Sequence, residues 1–406
     1  MPTGSRFRRR VAAGIAVLAM AGVLAIAIGP AAQAATASRP NLAKGSAYLV
    51  SPANLIGGHY YSSFPHTADF GLTIDGALAL AATGDQDRAL KKIVAFLAAD
   101  GKDASGRTVN DWTGLGTRYA IGGAIGKEAL LAEVVGANPG DFGGHNLIAA
   151  LDASVCQRAG SGGTARCPAA GSYSYASSVF DQALGVMAQL RAGQRRQAAA
   201  PVSYLESLQH ADGSFPSLIP GSGADVDSTA MAVMALALVP GRAAAADLKS
   251  GVAWIASRQQ RDGGFPGAGG NSINSAGLAI QALTLRRARY RARIAAAETF
   301  LASEQNANGG FTAYAGGQPG SNVRASTQAL GGAVGTPFGS LRRDLNGPAR
   351  SGSGRGWLAG YLVAIAIALA LVAAATVRLR RRPRRRQGGV PAGGGTSEPV
   401  AGRSRP

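Results

Sequence analysis

The stretch that decides the fold is Trp254-Ile-Ala-Ser-Arg-Gln-Gln-Arg-Asp-Gly-Gly-Phe265, because it occurs three times without gaps. Tyr204-Leu-Glu-Ser-Leu-Gln-His-Ala-Asp-Gly-Ser-Phe215 begins 50 residues earlier, and Phe300-Leu-Ala-Ser-Glu-Gln-Asn-Ala-Asn-Gly-Gly-Phe311 begins 46 residues later. An aromatic, a Ser, a Gln, an Asp or Asn, a Gly and a Phe hold fixed places. Self-similarity at this period marks a repeat architecture, in which stacked units bury a continuous core that no unit could bury alone.

Around each copy the helical periodicity is legible. Tyr290, Ile294, Ala297 and Leu301 recur at i, i+4, i+7 and i+11, one apolar face, with Arg291, Arg293 and Glu298 expected to look outward. Leu248, Val252 and Ile255 repeat that face. The Gly-Gly step is expected to end the helix as a left-handed C-cap. After a loop, Thr229 to Leu238 is apolar all round, as is Gly277 to Leu283 apart from Gln281. A helix apolar on every side is buried on every side, so each unit pairs an amphipathic outer helix with a buried inner one.

Weaker copies lie upstream. Ala47 to Ser51 leads through Gly57-Gly-His-Tyr60 to the inner segment Leu72 to Leu80. Leu90, Ile93, Val94 and Leu97 form another outer face with Ile121 to Val135 as partner, and Leu147 to Val155 pairs with Val179 to Leu190. Six hairpins, or twelve helices, result. No polar capping repeat is found at either end, which favours a closed ring over an open solenoid. The fold class is all-α, an α6–α6 toroid over 41–335.

The ends carry different signals. Arg6 to Arg10, an apolar run from Val11 to Ile28 and Ala32-Gln33-Ala34 read as a secretory signal peptide over 1–34, with an uncleaved anchor as the alternative and either general or twin-arginine export open. A linker follows at 35–40. At the other end, 336–355 reads as a linker and 356–377 as a transmembrane helix. Trp357 to Val377 is 21 residues without a charge, and Arg378 to Arg386 then supplies seven arginines that fix that flank in the cytoplasm. The tail 378–406 reads as basic and disordered. The expectation is a single-pass cell-membrane protein with its body outside. Of the formal net charge of +19, the first segment carries +4 and the tail +8, so basicity belongs to topology and not to a nucleic-acid surface. In that compartment Cys156 and Cys167, the only two cysteines, are expected to form a disulfide worth about 2–3 kcal/mol.

The Gln-x-x-Asp-Gly-Gly-Phe turn resembles the repeat of the α/α-toroid proteins: terpenoid cyclases, protein prenyltransferase β subunits, the cobalamin carriers of the intrinsic factor and transcobalamin type, and complement thioester domains. The resemblance covers about Asn41 to Val334 and implies the fold, not one activity. A prenyltransferase zinc site is not expected. The four histidines, His59, His66, His145 and His210, and the two cysteines do not gather near Asp225 or Asp227. No Cys-Gly-Glu-Gln stretch is present.

Class II terpene cyclases protonate an alkene with the central carboxyl of Asp-x-Asp-Asp followed by Thr-Ala. Here Asp225-Val-Asp-Ser-Thr-Ala230 matches two of three carboxylates, with Ser228 in place of the last. The resemblance implies Asp227 as general acid with Asp225 beside it. The plainer reading makes Asp227 or Ser228 the N-cap of an inner helix. Asn274 and Arg324 take the equivalent positions in the next units. The cobalamin carriers are similar in inner-helix starts such as Ser178-Val-Phe-Asp-Gln-Ala-Leu184 and Ser326-Thr-Gln-Ala-Leu330. That likeness implies a corrinoid as a ligand, with His66 and His145 as candidate ligands only because they are loop histidines, and a lid domain from another chain.

In a toroid the loops before the inner helices ring one mouth. Sequence places there Tyr60, Asp75, Trp112, Tyr119, Tyr173 and Tyr175, and then Asp181, Gln182, Asp225, Asp227, Asn274, Tyr314 and Arg324. Aromatics among carboxylates and amides suit a bulky hydrogen-bonding ligand. The favoured expectation is non-catalytic capture of such a ligand, a corrinoid among the candidates, feeding a membrane partner such as a transporter, with no cofactor required. The alternatives are a terpene cyclase-like enzyme acting on a polyprenyl substrate and a protein-interaction scaffold.

Overall fold

The computed structural model describes residues 38–160, 166–219, 221–267 and 269–346. The expected signal peptide and transmembrane helix lie outside them. No helix among the described residues is long and apolar enough to cross a membrane.

Among the described residues there are thirteen α-helices, of which twelve alternate between two concentric layers. The outer layer is α1 (Leu42–Leu49), α3 (Asp87–Ala98), α6 (Leu147–Ala153), α8 (Ala199–Ser207), α10 (Arg242–Arg258) and α12 (Arg287–Ser303). The inner layer is α2 (Phe70–Thr83), α5 (Gly122–Val134), α7 (Val179–Arg191), α9 (Val226–Leu236), α11 (Ile273–Thr284) and α13 (Val323–Val334). The five-residue α4 (Val109–Thr113) is an extra turn before α5. Each inner helix packs on the next, and α13 returns to α2, so the ring is closed. Two short antiparallel hairpins, β1 (Ser62–Phe64) with β2 (Thr67–Ala68) and β3 (Pro266–Gly267) with β4 (Gly270–Asn271), decorate loops ahead of α2 and α11.

The repeated turn does two jobs that its residue types explain. Asp212, Asp262 and Asn308 each accept from the backbone N–H two residues on, at 2.8–3.0 Å, around a glycine with φ near 90°. The preceding glutamine then reaches sideways. Gln209 donates to the carbonyls of Gly213 and Asp247, and Gln259 to those of Gly263 and Arg293. Each turn is thereby tied to the next outer helix. The outer helices end at Ser207, Arg258 and Ser303, several residues before the glycines. The glycines therefore belong to the Asx turn and are not the expected C-caps. Phe215, Phe265 and Phe311 close each turn by plugging into the core with no exposure.

Inner helices approach one another through glycine. A Cβ on Gly126 of α5 would sit 2.7 Å from the Cα of Gly185 in α7, and one on Gly332 of α13 would sit 2.3 Å from that of Gly277 in α11. Such close crossings draw the inner helices tightly together. Two expectations are corrected. Glu298 does not look outward: it is buried and paired with Arg39 at 2.9 Å. Residues 336–346, read as linker, form a strap across the C-terminal ends of the inner helices. Thr336 accepts from Gln281, Phe338 and Gly339 accept from Arg191, and Arg343 grips Asp87 and the carbonyl of Gly84. That end of the ring is closed, and the N-terminal ends form the mouth.

Candidate functional site: a polar pocket on the ring axis

Five inner helices begin with a side-chain cap, Asp69, Ser178, Asp225, Ser272 and Asn322, each accepting from an N–H of the first turn. Asp225 is thus the cap of α9, bonded to Ser228 N at 2.6 Å, and neither Asp227 nor Ser228 holds that place. Two positions after the cap, the side chain turns toward the axis: Phe180 in α7, Asp227 in α9, Asn274 in α11 and Arg324 in α13. In α2 and α5 this position is Gly71 and Gly123, and a residue one turn deeper takes over, Asp75 and Lys127. Leu278 and Gln328 occupy that deeper level in α11 and α13. These eight side chains, at least one from every inner helix, line one axial cavity of about 160 Å3.

The charges in and around it are mostly matched. Lys127 meets Asp75 at 2.8 Å, and Arg324 meets the cap Asp69 at 2.6 Å. Asp227 has no cation. Its Oδ1 is shielded from water and lacks any hydrogen-bond partner, as does Oδ1 of Asn274. Burial pushes the Asp227 carboxyl up to about 6; the Ser275 hydroxyl pulls the other way, and the neighbouring Asp225 adds to the rise. Asp181 is also raised by burial, although Ser178 donates to it at 2.8 Å.

The remaining expected site residues are elsewhere. Tyr173 is wholly buried and its hydroxyl donates to Gln189 at 2.6 Å. Gln182, also wholly buried, holds Tyr173 N and the carbonyls of Gly171 and Pro201, so both residues are core struts and not rim contacts. Tyr60 packs against Phe96 in the core, and Trp112 on α4 lies against Phe70. Tyr119 is exposed, with Arg118 over its ring and Tyr175 beside it. Tyr314 covers the β3–β4 turn at Gly269. His66 lies in the β1–β2 turn, and His145 faces Asn110 at 3.2 Å. Cys156 and Cys167 form the expected disulfide. Among the described residues no group of three or more His, Cys, Asp or Glu could hold a metal ion.

Lys127, Phe180, Leu278 and Gln328 were not among the sequence candidates. A signal for Lys127 existed: Gly71 with Asp75, and Gly123 with Lys127, repeat a glycine at the axial position followed four residues later by a charge. Larger hollows lie off the axis, about 950 Å3 beside the disulfide and about 510 Å3 beside Glu133 and Arg191 near the closed end.

No curated protein sequence matches this chain. Among solved structures, the type II terpene cyclase MstE from Scytonema, in complex with geranylgeranyl dihydroxybenzoate, is similar at 18% identity and a TM-score of 0.53, over 74% of this chain and 97% of that one. A protein from Actinoplanes is similar at 17% identity and 0.53, over 72% and 97%. A glycosidase is similar at 14% and 0.50, over 73% and 98%. These likenesses speak to the fold. Residues 145–319 match the prenyltransferase alpha-alpha toroid domain, and with the closed six-hairpin ring this match supports the terpenoid cyclase and prenyltransferase toroid superfamily.

Proposed function

We propose that the protein is a membrane-anchored, extracytoplasmic toroid that binds a small-molecule ligand at its mouth, drawing one polar group of that ligand into the axial pocket without transforming it. The observation that carries this reading is the convergence of all six inner helices on one cavity that leaves two shielded acceptors, on Asp227 and Asn274, without partners. Buried polar atoms are ordinarily paired, and each unpaired one costs on the order of 1–3 kcal/mol. A site that keeps two of them is built for a group that supplies donors.

The axial cavity is too small to enclose a bulky ligand. Pockets that enclose a drug-sized molecule run to about 300–1,000 Å3, whereas the axial cavity is about 160 Å3. A corrinoid or a folded polyprenyl chain does not fit inside it. Only an end group enters, while the rest of the ligand stays at the mouth.

One observation favours a second reading, acid catalysis of the terpene cyclase type. A carboxyl held near 6 by burial and a second carboxylate is partly protonated at mildly acidic pH and can donate a proton. One experiment separates the two. Full-length protein in detergent is incubated with a metabolite and lipid extract, and the retained molecules are identified by native mass spectrometry. Retention of an unchanged small molecule, lost in Asn274→Leu, supports binding. A cyclised product that disappears in Asp227→Asn supports the enzyme and overturns the binding reading.

A further inference from the structure

We infer that the group drawn into the axial pocket is a cation, a primary ammonium or guanidinium at the end of a small molecule; this rests on the binding reading above and names its ligand class. The charge inventory on the axis leads there. Two ion pairs, Asp75 with Lys127 and Asp69 with Arg324, neutralise themselves. Beyond them the lining residues add Asp227 and no further cation, and Asp181, outside the lining, lies near Lys127. Asp181 packs against Gly123, where a Cβ would meet its carboxyl carbon at 2.8 Å, so it closes the side next to Lys127. The two unpartnered atoms, Oδ1 of Asp227 and Oδ1 of Asn274, are both acceptors.

An opposing field has to be weighed. Six helix N-termini point at this mouth, and their partial positive charge favours anions by about 0.3–1 kcal/mol each at exposed ends. Five of those ends are already answered by side-chain caps, two of them the carboxylates Asp69 and Asp225. An anion would also face the unneutralised Asp227 at close range, where like charges in a partly desolvated site repel more strongly than a capped helix end attracts. A cation instead gains the charge-assisted hydrogen bonds that Asp227 lacks.

Shape narrows the class. At roughly 30 Å3 per water the cavity holds about five waters, enough for an ammonium with its first methylenes or for a guanidinium. Phe180 is the one aromatic wall among the lining residues. Quaternary ammonium groups are held by cages of several aromatic rings, so a donor-bearing cation suits this pocket better.

The test uses full-length protein in detergent micelles and three probes of one size: n-butylammonium, n-butanol and butyrate. Binding is read by saturation-transfer NMR at pH 7.5 and titrated in wild type, Asp227→Asn and Asn274→Leu, with thermal melts confirming that each variant is folded. The expected result is that n-butylammonium binds at least tenfold more tightly than the other two, and that Asp227→Asn removes at least that factor. Binding of n-butanol or butyrate at equal or greater strength, lost in Asn274→Leu, overturns the cation assignment and leaves the binding reading standing. Failure of all three probes to bind folded wild type overturns both.

Discussion

The side-chain amide of Gln305 donates to the carbonyl of Asn41 at 3.0 Å, and Asn41 N–H donates back to Gln305 Oε1 at 2.7 Å, although 264 positions separate them in sequence. This pair lies on the seam of the ring. The same glutamine that ties each repeat turn to the next outer helix ties the last turn to the cap of the first helix. Gly309 makes the close approach possible, since a Cβ there would lie 2.1 Å from the carbonyl oxygen of Lys44.

Removing the seam gives the first prediction. Gln305→Ala loses three hydrogen bonds, counting the one to the carbonyl of Gly309. At about 0.5–1.5 kcal/mol net for each, chemical denaturation should show a loss of about 1.5–4.5 kcal/mol. Hydrogen exchange should speed up in α1 more than elsewhere. Gln259→Ala, at an internal turn, should destabilise similarly and leave α1 protected. Equal exchange in α1 for the two variants would contradict the seam.

The glycine crossings give a second prediction with its own control. Gly126→Ala puts a methyl into the backbone of α7 at Gly185, so the helices must separate. Overpacking costs typically about 1–3 kcal/mol, and rigid backbone on the far side places this site at the upper end. Gly331, in α13, has only Gln281 Nε2 at 3.9 Å in its way. Gly331→Ala should therefore stabilise by about 0.5–1 kcal/mol through helix propensity. Melting temperatures of the two variants should move in opposite directions.

How far the sequence carried the reading follows from the range of each interaction. Outer and inner helices were legible because amphipathic and all-apolar periods report burial locally, and the repeated turn fixed their phase. Glu298 departs from the helical period because the cation that lets it be buried, Arg39, is 259 positions away. The cap of α9, Asp225, lies two or three residues before the expected Asp227 or Ser228, since periodicity tells that a helix exists more firmly than where it starts. Tyr173 and Gln182 are expected at the rim by their place near the loop, but the loop folds inward and the backbone N–H of Tyr173 donates to the side-chain oxygen of Gln182. The strap at 336–346 has no period to detect; its hold comes from helix-end carbonyls and Arg191. Asp227, Asn274 and Arg324 were legible as equivalents, while Lys127 was hidden by an inner helix whose cap position, Ile121, has no capping side chain.

The axial ion pair yields a third prediction. The side chains of Lys127 and Asp75 are 12% and 7% exposed, so the ion pair is largely withdrawn from bulk solvent. Lys127→Met leaves a buried carboxylate alone and should cost about 3–5 kcal/mol. The double variant Asp75→Leu with Lys127→Met removes both charges at once. It should recover most of that loss, because an apolar pair of similar volume is often neutral or better. A double-mutant cycle by urea denaturation reads the coupling directly, and additive losses would show that the pair is not coupled.

Glu128 on α5 gives the last prediction, a dependence on pH. It is 4% exposed, its Oε2 has no partner, and burial with a contribution from Asp100 pushes its carboxyl up to about 8. In the unfolded chain a glutamate ionises near its ordinary value of 4.5. Between those limits the folded protein holds a proton that the unfolded chain has released, so stability falls as pH rises from about 4.5 to about 8. One proton corresponds to about 1.4 kcal/mol per pH unit within that window. Asp227, raised to about 6, adds a slope of the same sign over the lower part of it. Glu128→Gln removes the titrating group and keeps its shape. The variant should differ little from wild type near pH 4.5 and be more stable by a few kcal/mol at pH 8, with a flatter plot of melting temperature against pH. If wild type and Glu128→Gln melt in parallel across that range, Glu128 is ionised in the folded protein and has a partner or a water path that its burial conceals.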